Sequence, residues 1–127
     1  MITVVVLLAL FGVKHFIADF VLQFDFMLKD KGTYGAEGGK DHAGMHGIWT
    51  WLVLIWFTNM YSAMLLAMMD SIIHYHIDWA KTNLSRGLTP KDRMFWVWFG
   101  ADQGLHYLTY ILIIGIIVLW LKWLLNP

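Results

Sequence analysis

Residues 61–84 read YSAMLLAMMDSIIHYHIDWAKTNL, a long apolar segment in which polar residues recur at a regular spacing. Asp70, His74 and Asp78 are four residues apart, so on a helix they share one face. A helix of this length rises about 36 Å, which exceeds the roughly 30 Å of a bilayer's hydrocarbon core. The segment therefore predicts a transmembrane helix with one polar face, and Gly87 marks its end.

Three further segments repeat this pattern. We predict helices at about residues 2–28, 41–57, 61–84 and 101–125. Each carries a pair of ionisable residues at positions i and i+4: His15 and Asp19, His42 and His46, His74 and Asp78, Asp102 and His106. A short turn at Asn59 joins the second and third helices as an antiparallel hairpin. The predicted fold is all-α, a polytopic four-helix transmembrane bundle forming a single membrane domain over residues 1–127.

Two longer connections, residues 29–40 and 85–100, separate these helices. The first reads KDKGTYGAEGGK and predicts a flexible aqueous loop, since it is rich in glycine and has no apolar run. The second contains Thr89-Pro90-Lys91-Asp92, which has the features of a helix start. It continues into MFWVWF at residues 94–99, which predicts a short interfacial helix before the last span.

Composition also indicates a membrane protein. Of the 127 residues, 59% are hydrophobic and only 14% are charged, and the mean hydropathy is +0.59. Soluble domains carry roughly 25% charged residues, and one this small could not bury so much apolar area. The absence of cysteine excludes a disulfide scaffold. The nine basic and nine acidic residues cancel, which argues against a nucleic-acid partner.

The position of the charged loops predicts the orientation. Successive helices cross the membrane in opposite directions. The polar residues therefore lie at one depth in the membrane, because they come late in the first and third helices and early in the second and fourth. The basic residues on that side are Lys29, Lys31, Lys40, Lys81, Arg86, Lys91 and Arg93, whereas only Lys122 lies near the other. The positive-inside rule then places both longer loops in the cytoplasm and both termini outside it.

The paired residues have the composition of a metal site. Helix bundles build such sites from facing side chains. Imidazole nitrogen and carboxylate oxygen without thiolate suit a borderline divalent ion, zinc foremost. The predicted ligands of one or two ions are His15, Asp19, His46, His74, Asp78, Asp102 and His106. His42 lies nearer the loop and is the weaker candidate, and either Asp19 or Asp102 is the predicted general base.

Other polar residues are expected to support this site. Lys14 and Asp70 fall at nearly the same depth on the first and third helices, which predicts a buried ion pair. The alternative makes Lys14 itself an electrophilic or phosphate-contacting group under the site. Gln23, Lys81 and Gln103 are expected in a second layer around the ligands.

The motifs resemble a known family of small bacterial and phage membrane proteins, which is catalogued only as a domain of unknown function. The resemblance runs from about Val13 to Tyr107. Its motifs are His15-x3-Asp19-Phe20-x2-Gln23 with Asp25 and Met27, then His46, His74-x3-Asp78-Trp79-x-Lys81, and Asp102-Gln103-x2-His106. The glycine-rich first loop with His42, and Asp70, depart from the pattern. The resemblance implies a multi-pass protein of the bacterial inner membrane. A weaker likeness is to inner-membrane proteins described as metal-dependent hydrolases.

Three functions are compatible with these residues. The first is a metal-dependent hydrolase acting on the ester or phosphoester of a membrane lipid, with nearby basic residues attracting the head group. The second is a non-catalytic subunit or modulator, assembled with copies of itself or in a larger membrane complex, whose His/Asp pairs only hold helices together. The third, a proton or ion pathway, is disfavoured because the outer halves of the helices carry almost no polar residues.

Overall fold

The computed structural model describes residues 2–125, with side chains up to Trp123, and every regular element within that range is helical. The elements are α1 (Ile2–Phe16), a π-helical turn (Ile17–Val21), α2 (Asp25–Asp30), α3 (Glu37–Leu54), α4 (Met60–Leu84) and α5 (Arg93–Leu125). The predicted all-α fold is confirmed. Met1, Asn126 and Pro127, the ends of the predicted domain, lie outside the described residues.

The helix predicted over residues 2–28 is divided in the structure. The backbone N–H of Leu22 donates to the carbonyl of Ile17 at 2.9 Å, which widens the last turn and ends the helix. Phe24 is extended, and α2 begins at Asp25, whose carboxylate suits a helix N-terminus. The break lets the chain turn back, so that α2 packs against α3.

The glycine-rich segment is partly helical and closely packed, so the flexible loop predicted for residues 29–40 is wrong over its last part. Gly38 and Gly39 lie in the first turn of α3. A Cβ atom on Gly38 would lie 2.6 Å from the carbonyl oxygen of Phe26, and one on Gly39 would lie 3.3 Å from the ring of Tyr75. The missing side chains allow α3 to approach its neighbours, and the helix begins about a turn before the predicted residue 41.

The hairpin between α3 and α4 turns at the predicted position. Asn59 caps α4 through its side-chain oxygen, which accepts a hydrogen bond of 2.9 Å from the backbone N–H of Ser62. At its other end α4 stops shortly before Gly87, whose φ of +82° is a left-handed conformation that glycine adopts readily.

The last helix is continuous over 33 residues, so residues 94–99 are its first turns rather than a separate interfacial helix. Gly100 weakens a helix by about 1 kcal/mol relative to alanine but does not interrupt it here. Residues 89–92, predicted as a helix start, form a turn before the helix, which begins at Arg93, and the backbone N–H and the hydroxyl of Thr89 both donate to Asp92 at 2.8 Å. These two hydrogen bonds lower the pKa of Asp92 below its ordinary value.

The interior has an apolar half and a polar half. The apolar half is a cluster of Leu7, Phe11, Leu54, Ala63, Tyr110, Ile113, Ile114 and Ile117. In the polar half, α4 reverses the usual arrangement of a helix in a soluble protein, which buries its apolar side chains and exposes its polar ones. It exposes Met64, Leu65, Met68 and Ile72, and it buries Asp70, His74 and Asp78. Two helical segments, Ile2–Val21 and Arg93–Trp123, are long and apolar enough to cross a membrane.

Candidate metal centre

Eight ionisable side chains meet in the polar half of the bundle. We call them the His/Asp cluster: His15 and Asp19 from α1 and the π-helical turn, His42 and His46 from α3, His74 and Asp78 from α4, and Asp102 and His106 from α5. Each of these side chains is at most 9% exposed. The i,i+4 pairs on separate helices therefore face one another, and the buried groups could hold a metal ion.

Four donors form the first group: Asp19, His42, His46 and His74. Oδ1 of Asp19 lies 3.0 Å from Nε2 of His42 and 3.1 Å from Nε2 of His46. Nε2 of His74 lies 3.2 Å from Nε2 of His42 and 3.9 Å from Oδ1 of Asp19. Donors bound tetrahedrally to zinc at roughly 2.0–2.1 Å are about 3.3 Å apart. Three of these four distances are close to this spacing, and all four donors lie within 4.8 Å of one another.

Three donors form the second group: His74, Asp78 and His106. Asp78 approaches Nε2 of His74 at 3.4 Å and Nε2 of His106 at 3.5 Å. Asp102 flanks this group, 3.4 Å from Nε2 of His106. Three protein donors leave a coordination position open, as in catalytic zinc sites. Because His74 belongs to both groups, two ions would compete for its Nε2 atom.

A polar cavity of about 270 Å³ opens onto the cluster. Its lining includes all three carboxylates of the cluster, those of Asp19, Asp78 and Asp102, together with Lys31 and Lys81. Nζ of Lys31 lies 2.7 Å from Oδ2 of Asp78. The carboxylate side of the cluster is therefore accessible to water or to a small polar group.

The chain matches one family model, described as "Protein of unknown function (DUF3307)", over residues 6–126. The chain belongs to this family. The match contains every residue of the His/Asp cluster and agrees with the resemblance seen in the motifs. Comparison with curated proteins and with solved structures gives no match. The DUF3307 description assigns no activity.

In this DUF3307 chain His15, a predicted ligand, lies behind Asp19 and outside both donor groups. Its Nε2 faces two acceptor oxygens and therefore carries the ring proton, so Nδ1 accepts from the hydroxyl of Tyr110 at 2.8 Å. Its Nε2 lies 3.0 Å from Oε1 of Gln103 and 3.1 Å from Oδ2 of Asp19. Both ring nitrogens thus face protein groups, and the ring holds the oxygen of Asp19 that points away from the first group. This arrangement is typical of the second layer around a metal.

Asp102, also a predicted ligand and a predicted base, stands beside the second group. Its Oδ2 accepts from the side-chain amide of Gln103 at 3.3 Å. Gln23 and Lys81, predicted to lie in a second layer around the ligands, both line the cavity. Oε1 of Gln23 is buried and has no hydrogen-bond partner among the described residues. Lys81 approaches the ring of Phe99, with Nζ 5.8 Å from its centroid.

Lys14 and Asp70 form the expected buried pair, with Nζ and Oδ2 2.7 Å apart and both side chains at most 2% exposed. The hydroxyl of Thr50 donates to the same carboxylate. Nζ of Lys14 also lies 3.4 Å from Nδ1 of His46 and donates to its backbone oxygen at 3.4 Å. The pair ties α1 to α4, and Lys14 also contacts His46.

The sequence did not predict the roles of two residues of the site, His42 and Lys31. His42 was the weaker candidate because α3 was expected to start at residue 41, but with α3 starting at Glu37 its side chain is fully buried in the first group. The signal was its i,i+4 spacing with His46. Lys31 was placed in an aqueous loop, yet it pairs with Asp78 at the cavity. No periodicity in the sequence indicates this contact.

Proposed function

We propose that this DUF3307 protein is a four-span membrane protein that binds one or two divalent ions, zinc foremost, and hydrolyses an ester or phosphoester bond of a membrane-located molecule. The observation that carries the metal assignment is the first group, in which four donors from the π-helical turn, α3 and α4 lie within 4.8 Å of one another, with four of the six pairs at 3.0–3.9 Å. Its spacing approaches that of a tetrahedral site.

The surface of α4 supports four spans rather than the two that apolar composition identifies. Its outward side chains are apolar while its ionisable residues face the interior, as expected for a helix surrounded by lipid. With 25 residues α4 is about 37 Å long, and α3 with 18 residues is about 27 Å long. Both lengths are close to the thickness of a bilayer core.

The loop charges support a cytoplasmic position for the cluster. Lys29, Lys40, Arg86, Lys91 and Arg93 lie in or near the two connections at residues 31–36 and 85–92, and Lys31 and Ser85 of these connections line the cavity. The positive-inside rule then orients both termini outward across a plasma membrane, such as the bacterial inner membrane. The apolar outer faces would contact lipid, a second copy of the chain or another subunit.

Charge balance favours a metal over purely structural pairing. Asp19, Asp78 and Asp102 all line the cavity, and among the described residues Lys31 is the one lysine within ion-pair distance of any of them. Neutral imidazoles compensate buried carboxylates only in part, whereas a divalent ion compensates two negative charges.

Asp102 is the best-placed general base. It lines the cavity and lies outside both donor groups, whereas Asp19 is committed to the first group. A bound divalent ion lowers the pKa of a coordinated water and polarises the bond to be cleaved. In such a hydrolysis a water oxygen bonds to the phosphorus or acyl carbon, and the bond to the leaving oxygen breaks. Asp102 would accept the proton of that water and pass it to the leaving oxygen.

A non-catalytic role is the second candidate, and one observation favours it. The first group already has four protein donors, and closed four-coordinate sites are typical of structural zinc. In this case the metal would only hold the π-helical turn, α3 and α4 together within a larger membrane assembly.

Elemental analysis of the purified protein in detergent tests the metal site. We expect one or two equivalents of a divalent metal in the parent. The His74→Ala variant should lose metal because His74 serves both groups, and the His76→Ala variant should retain it because His76 is exposed on the same helix. Equal metal content in all three, or none after loading the folded parent, would overturn the assignment.

The catalytic part is tested separately with an Asp102→Asn variant. Fluorogenic phosphomonoesters and carboxyl esters in detergent micelles are the probes. We expect the metal-loaded parent to hydrolyse one class and the variant to lose most of this activity while keeping its metal. A metal-loaded parent inactive on both classes would favour the structural role.

A further inference from the structure

A second space adjoins the polar cavity. An apolar groove of about 380 Å³ runs between α4 and α5. It is lined along α4 from Ile72 to Leu84 and along α5 from Trp98 to Leu105. The groove and the polar cavity share two lining residues, Lys81 and Asp102, so the two spaces lie side by side.

We infer that the molecule acted on at this site is an anionic amphiphile, a lipid that carries a phosphate group in the polar cavity and one hydrocarbon chain in the groove. This inference rests on the proposed metal site and adds the class of substrate.

The length of the groove suits a lipid chain. From Ile72 to Leu84 the helix rises about 18 Å, and one leaflet of the hydrocarbon core is about 15 Å thick. Exposed apolar side chains such as Ile72 and Leu105 border the groove, so it is open to the surrounding lipid. A chain could enter it sideways while the head group stays near Lys81.

The charge of the cavity indicates when an anion would bind. Three carboxylates line it against two ammonium groups, those of Lys31 and Lys81, so its formal charge is −1. One divalent ion changes this to +1. The cavity would repel a phosphate without the metal and attract it with the metal. Anion binding should therefore depend on metal loading. Among the described residues no carboxylate lies within ion-pair distance of Lys81, so its ammonium group should donate to the phosphate.

The test measures binding to the metal-loaded protein in detergent, with phosphatidic acid, diacylglycerol and inorganic phosphate as probes. We expect phosphatidic acid to bind more tightly than either of the others, and only when metal is present. Lys81→Gln should weaken its binding about tenfold or more, because a charge-assisted hydrogen bond is lost. Ala80→Phe, which fills the groove, should weaken phosphatidic acid but leave inorganic phosphate unchanged.

Matched controls are Lys91→Gln, an exposed lysine outside the cavity, and Leu108→Phe, an exposed position outside the groove. Equal binding of diacylglycerol, or phosphatidic acid binding that Ala80→Phe leaves unchanged, would overturn the inference. Metal content is measured on the same samples. A protein that binds metal but not phosphatidic acid would refute only the inference that the substrate is an anionic amphiphile. A folded protein that takes up no metal would refute the proposed function as well.

Discussion

Nε2 of His42 on α3 lies 3.0 Å from Oδ1 of Asp19 on the π-helical turn. These two residues come from two of the places where the chain departs from its predicted helices. The early start of α3 puts His42 inside the helix, and the π-helical turn ends the first helix just after Asp19. The first donor group therefore depends on both departures, in keeping with the frequent occurrence of π-helical turns at functional sites.

Replacing His42 by alanine should weaken metal binding strongly. Structural zinc sites bind with about 10–16 kcal/mol, so one ligand of four contributes about 3 kcal/mol, or roughly a hundredfold in affinity. Competition with a chelating dye measures this change. His76→Ala is the matched control, since that ring is exposed. Unchanged affinity in the His42→Ala variant would remove His42 from the ligands and return it to the weaker role predicted from sequence.

The sequence predicted those parts of the site that local spacing determines. The four i,i+4 pairs, the Asn59 turn and the Lys14–Asp70 pair all follow from helical periodicity and depth. The start of α3 does not, because Gly38 packs on Phe26 only once the chain has folded back. The second-layer position of His15 likewise depends on Tyr110, which is distant in sequence and was not recognised as a site residue.

Removing the hydroxyl of Tyr110 should loosen the site without removing a ligand. The hydroxyl donates to His15, which in turn holds Asp19. Loss of a second-layer partner typically costs 10–100-fold in metal affinity, so we expect a decrease of about tenfold for Tyr110→Phe. Tyr107→Phe, at a neighbouring exposed tyrosine, should leave the affinity unchanged. Equal affinities of the two variants would contradict the role of His15 in orienting Asp19.

Breaking the Lys14–Asp70 pair should destabilise the bundle. Lys14→Met leaves the buried carboxylate of Asp70 without its cation, which costs about 3–5 kcal/mol. The double variant Lys14→Met/Asp70→Leu removes both charges and should recover most of the loss. Thermal unfolding in detergent, followed by near-ultraviolet circular dichroism, gives the midpoints. A double variant no more stable than Lys14→Met would show that the pair contributes more than charge compensation.

Gly38 should tolerate no side chain, unlike another glycine of the same helix. Gly38→Ala places a methyl group 2.6 Å from the carbonyl oxygen of Phe26, and such overpacking costs about 1–3 kcal/mol. Gly44→Ala is the control, because its Cβ atom would meet nothing within 4 Å. It should stabilise α3 by up to about 1 kcal/mol. The same unfolding midpoints test both variants, and a Gly38→Ala variant as stable as Gly44→Ala would contradict the close packing of α3 on α2.

Crossing of the membrane by α4 can be tested directly, since the chain has no cysteine and single-cysteine variants carry one label each. Tyr61→Cys lies at the exposed start of α4, and Lys91→Cys lies in the exposed segment after its end. In right-side-out vesicles a membrane-impermeant maleimide should label only the Tyr61→Cys variant, and in inside-out vesicles only the Lys91→Cys variant. Labelling of both from one side would show that α4 does not cross. Labelling of Tyr61→Cys only in inside-out vesicles, and of Lys91→Cys only in right-side-out vesicles, would confirm that α4 crosses the membrane but refute the orientation. The two conclusions separate because the buried polar face of α4 predicts the crossing, whereas the loop charges predict the orientation.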